Sequence, residues 1–135
     1  MLPLLLNAQT IDNDTIKEVD KIYSTVSLAI EPEYPGGLNA FYKYVSKNFN
    51  VPEEVDQDIN IRVLTTFVIE KDGTITDIKV IKDPGFGLAN EARRVLGAVP
   101  EKWSPGFMDG KPVRVSYTLP IQVKLTAPKP KENQE

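Results

Sequence analysis

The residues that carry most protein chemistry are missing from this chain. None of its 135 residues is His or Cys, which removes the commonest general base, the thiolate nucleophile and the usual zinc ligands. Ser-His-Asp and Cys-His catalysis are excluded by inventory. Glu53 and Glu54 form the nearest thing to a carboxylate pair, but neighbours on a helix point apart. Behind Pro52, early in a short helical turn, they complement the helix dipole. Gly85 and Gly87 open a helix as a phosphate loop would, yet they follow an antiparallel hairpin strand, and plain turn geometry accounts for them. Sixteen basic residues are scattered among nineteen acidic ones, for a net charge of -3, and no nucleic-acid partner is expected. The inventory predicts no catalytic residue, cofactor or metal, and no enzyme.

What remains is the chemistry of the backbone. From Val113 to Leu125 the odd positions are all apolar, and Arg114, Ser116, Thr118, Gln122 and Lys124 occupy even ones. This is the pattern of one long strand with one buried face. Pro120 keeps the alternation but has no N–H for a ladder, which places the strand at a sheet edge. An open edge accepts an extended peptide as an added strand: backbone bonds supply affinity, and the even-position side chains discriminate among peptides.

The elements that must hold this strand follow from local pattern. Leu38, Phe41, Val45 and Phe49 recur at helical spacing within residues 37–49, and Leu88, Ala92, Val95, Leu96 and Val99 do so within 88–99. Ile59 to Glu70 and Thr74 to Lys82 flank Lys71-Asp72-Gly73 as a hairpin. Trp103, beside a Pro-Gly turn, is expected to cap the core. The predicted fold is α+β: two helices on one face of a three-stranded antiparallel sheet, the long C-terminal strand beside the first hairpin strand with its other side free. Residues 1–10 read as the remnant of a signal peptide, 11–30 as a polar and then extended segment, 31–125 as the domain, and 126–135 as a disordered, charged, proline-bearing tail.

Several blocks then occur in a familiar order. Pro32-Glu33-Tyr34-Pro35-Gly36-Gly37 is followed by Thr66-Phe67-Val68-Ile69-Glu70-Lys71-Asp72-Gly73 and Asp77-Ile78-Lys79-Val80. Lys102-Trp103-Ser104-Pro105-Gly106, Asp109-Gly110-Lys111-Pro112-Val113 and Tyr117-Thr118-Leu119-Pro120-Ile121 complete the series. Across roughly 31–125 the chain resembles the C-terminal domain of TonB energy transducers, in the branch that opens with Pro-Glu-aromatic-Pro-Gly-Gly. The resemblance implies a periplasmic, non-catalytic module whose last strand pairs with the TonB-box segment of an outer-membrane transporter in energy-dependent transport. Partner contacts are then expected at Arg114, Ser116, Tyr117, Thr118, Pro120, Gln122 and Lys124, with Val51 and Pro52 nearby. Two positions depart from the family: Val51-Pro52-Glu53 replaces Tyr-Pro-Glu, and no Gly precedes the basic residue of Ile61-Arg62-Val63. Full transducers also carry a transmembrane anchor and a proline-rich spacer, and this chain reads as having neither. The alternative reading is a structural or accessory subunit of an envelope complex, or a homodimer, built on the same edge.

Overall fold

The computed structural model describes residues 21–51 and 55–128. In chain order the elements are β1 (Ile22–Ser24), a 3-10 turn (Thr25–Ser27), α1 (Leu38–Asn48), β2 (Ile59–Ile69), β3 (Ile75–Val80), α2 (Leu88–Gly97), β4 (Gly106–Met108) and β5 (Lys111–Leu125). The expectations for residues 1–10 and for the turn at Pro52 to Glu54 lie outside the described residues, as does most of the expected tail.

Alternation decides which face of β5 is buried. Val115, Leu119, Ile121, Val123 and Leu125 are buried while Ser116, Thr118, Gln122 and Lys124 are exposed, as period-two geometry requires. Along β2, Val63, Phe67 and Ile69 join the same core. Thr65 does as well, because its hydroxyl donates to Leu119 O at 2.8 Å and so is not itself buried unpaired. Both helices close over this face, α1 through Phe41 and Val45, α2 through Leu88, Ala92, Val95 and Leu96. Burying each large side chain contributes about 1.5–3 kcal/mol.

The chain enters α1 through a turn written by Pro35 and Gly36. Gly36 sits at φ 87, and Gly37 N donates to Tyr34 O at 2.7 Å, the pattern of a type II turn. Tyr34 is thereby delivered to the core, its ring 4.9 Å from Phe41 and 5.7 Å from Trp103. Trp103 is buried inside the domain rather than on its rim, with the rings of Phe41, Phe67 and Tyr117 within 6.2 Å. Its loop is tied to the hairpin turn, since Trp103 N donates to Gly73 O at 2.9 Å.

The sheet corrects the expected three antiparallel strands. It has five strands and mixed direction, in the order β1-β5-β2-β3, with β4 pairing β5. β2 and β5 pair antiparallel from Ile59–Leu125 to Ile69–Val115, as expected of neighbours, and β2 and β3 form the hairpin. The added strands are each three residues long: β1 runs parallel to Arg114–Ser116, and β4 pairs with Lys111–Val113. Three residues are too few to show a period, and a parallel pair is made across a long connection, so neither strand announces itself locally. Among the described residues the long strand is accordingly central around Val115 and an edge only beyond it.

Candidate functional site: the outer edge of the long strand

A strand's N–H and C=O groups point alternately to its two neighbours, so one hydrogen bond sets the parity of β2 and of β5, which pairs with it in unbroken register. Ile81 N donates to Leu64 O at 2.8 Å, which turns the backbone groups of Leu64 toward β3. Pro120 is the residue opposite Leu64, and its own backbone groups therefore point away from β2. The missing N–H of Pro120 falls on the outer side of β5, where it breaks no existing ladder. By the same alternation the N–H and C=O groups of Arg114, Ser116, Thr118, Gln122 and Lys124 also point outward.

The outer side divides into an occupied and an open part. Ile22 to Ser24 of β1 cover Arg114 to Ser116. Among the described residues no strand pairs with the outer side of 117–125. Beside it lies a groove of about 430 Å³ between α1 and the strand, lined by Tyr42, Val45, Phe49 and Val51 on one wall and by Pro120 to Lys124 on the other. Arg62, which faces Gln122 across the sheet, completes the lining. The lining holds two cations, Arg62 and Lys124, and no carboxylate.

Tyr42 marks the upper end of this groove. Its hydroxyl donates to Pro120 O at 3.0 Å. Burial pushes its phenol above the ordinary range, with Arg62 opposing more weakly, so the hydroxyl keeps its proton at neutral pH. Tyr117, stacked on Phe67 with ring centroids 5.6 Å apart, is shifted the same way by burial.

The sequence-predicted residues fall into three groups. Thr118, Pro120, Gln122 and Lys124 share the open stretch, with Val51 across the groove. Arg114 and Ser116 lie under β1, and the Arg114 guanidinium is engaged by Glu70, Nε to Oε1 at 2.8 Å and Nη2 to Oε2 at 3.2 Å. Tyr117 faces the aromatic cluster around Trp103, and Pro52 lies outside the described residues. Sequence reasoning missed Tyr42, Arg62 and Glu70. In the sequence Tyr42 only flanks the apolar stripe of α1, and nothing in its local pattern points to Pro120.

An edge without a partner strand among the described residues, with an apolar groove beside it, is the geometry of a protein-interaction surface. The family described as Gram-negative bacterial TonB protein C-terminal matches residues 52–125, more than half of the chain. The chain belongs to that family. A comparison with curated proteins gave no match. TonB C-terminal domains act in the periplasm, in energy transduction across the envelope, and their partners are outer-membrane transporters. The matched stretch holds β2 to β5, including the whole open edge. β1, the Pro-Glu-Tyr-Pro-Gly-Gly motif and α1 precede it, so two of the features that shape this edge, β1 and Tyr42, come from outside the family match. No described helix is long and apolar enough to cross a membrane.

Proposed function

We propose that this TonB C-terminal domain docks the TonB-box segment of an outer-membrane transporter as an added strand along the outer side of 117–125, in the periplasm, as part of energy-dependent transport. The observation that carries this reading is the run of outward backbone groups at Thr118, Gln122 and Lys124, with no strand opposite them among the described residues. An added strand satisfies such groups one by one and gains affinity from them. The groove supports it with apolar walls from Val45, Phe49 and Val51, while Arg62 and Lys124 favour a segment carrying an acidic residue. The opposite edge is poorly suited: on β3 two residues, Asp77 and Ile78, oppose the single Phe67, and Asp77 sits at φ 52, a bulge that twists an edge away from partners.

Titration of the isotope-labelled domain with TonB-box peptides tests the proposal. Amide shifts are expected at 117–125 and along α1 at the groove, with β3 silent. A folded domain showing no shifts at 117–125 would rule the edge out.

A further inference from the structure

Strand addition at this edge meets one defect, and it resolves to a side chain outside the family match. A partner lying along 117–125 finds an N–H and a C=O at Thr118, Gln122 and Lys124, but only a C=O at Pro120. Ladders match donors to acceptors one to one. The partner carbonyl that would face the Pro120 nitrogen is left without a donor, a defect that lowers affinity about five- to a hundredfold where water is excluded.

Among the described residues one side-chain donor is recorded at Pro120. The Tyr42 hydroxyl donates to Pro120 O at 3.0 Å, held there by a helix whose neighbouring Phe41 and Val45 are buried in the core. A phenol O–H turns about its C–O bond at little cost, whereas an amide N–H is fixed. When a partner N–H reaches Pro120 O, that acceptor no longer needs Tyr42, and the hydroxyl becomes available to the neighbouring orphaned carbonyl.

We infer that Tyr42 is a positioning residue for the incoming strand, supplying the hydrogen-bond donor that Pro120 lacks. The inference rests on the strand-addition reading above. It makes α1 part of the docking ladder and sets the partner's register, because a single partner carbonyl is served by a side chain instead of by the backbone.

A double-mutant cycle separates this role from mere support of the fold. Affinity for one TonB-box peptide is measured for the wild type, Tyr42→Phe, Pro120→Ala and the double variant, with amide spectra to show that each is folded. Tyr42→Phe is expected to weaken binding about five- to tenfold. Pro120→Ala restores a backbone N–H on the outer side, so it should bind at least as well as the wild type, and Tyr42→Phe in that background should cost less than about twofold. An equal loss in both backgrounds, no loss, or tighter binding by Tyr42→Phe would each overturn the inference while leaving strand addition intact. Absence of peptide binding by the wild type would overturn strand addition, and this inference with it.

Discussion

Glu70 and Arg114 meet across the top of β2 and β5 as a two-pronged ion pair, Nε to Oε1 at 2.8 Å and Nη2 to Oε2 at 3.2 Å, with side chains 23% and 26% exposed. The Thr76 hydroxyl donates to the same carboxylate. The pair ties the long strand to the hairpin at the point where β1 covers the other side of Arg114.

A pH dependence follows from this pair. The hydrogen bonds from Arg114 are the main cause holding the Glu70 carboxyl below its ordinary value, burial opposes them, and Thr76 adds to them. A carboxyl with a depressed folded-state pKa contributes stability that is fully present above its unfolded value, about 4.3, and is lost as pH falls from there through the folded-state value. Glu70→Gln should destabilise the domain by about 2 kcal/mol at pH 7, and the difference from wild type should shrink toward pH 3. Urea denaturation at the two pH values measures it, and an unchanged difference would show that the charge is not the cause.

The turn between β2 and β3 is locked by contact with the Trp103 loop. A Cβ on Gly73, at φ +88, would lie 2.0 Å from Trp103 O, whereas one on Gly85, at φ +85, meets nothing within 4 Å. Gly73→Ala adds a backbone collision to conformational strain and should cost about 3 kcal/mol or more. Gly85→Ala carries the strain alone, about 1 kcal/mol. Thermal melts of the two variants should separate clearly, and similar melting temperatures would refute the collision.

α1 precedes the family-matched stretch but belongs to the core. Phe41 is fully buried, with its ring 4.9 Å from those of both Tyr34 and Trp103. Phe41→Ala should cost about 3–5 kcal/mol, and a chain restricted to residues 52–125 should lose the near-ultraviolet circular dichroism of Trp103. A truncated chain with wild-type stability would show that α1 is dispensable.

The parity of β5 separates two neighbouring proline substitutions. The Gln122 N–H points outward, so Gln122→Pro should leave the melting temperature nearly unchanged while weakening peptide binding about five- to tenfold. The Ile121 N–H serves β2, and Ile121→Pro should cost about 3 kcal/mol or more of stability. Reversed effects would mean that the parity assigned through Leu64 and Ile81 is wrong.

The candidate site was half legible beforehand. Alternation from Val113 to Leu125 identified the buried face, and Pro120 identified an edge, because side-chain direction and the lack of an N–H are properties of the residues themselves. Arg114 shows the limit: its even position marked it as a partner contact, but its guanidinium is engaged by Glu70 and its backbone lies under β1. A surface cation's partner depends on what the fold brings within reach, and Glu70 is 44 residues away.

By itself, then, the amino-acid sequence determined the two helices, the hairpin, the long strand and its buried face, since each rests on a period or a turn residue acting within a few positions. It also determined the absence of His and Cys. Tertiary structure alone decided how much of the edge is open. The parallel pairing of Ile22–Ser24 with Arg114–Ser116, the outward direction of the Pro120 nitrogen and the reach of Tyr42 to Pro120 O each join segments far apart in the chain. Such contacts are set by the packing of α1 and by sheet register, and no local pattern encodes either.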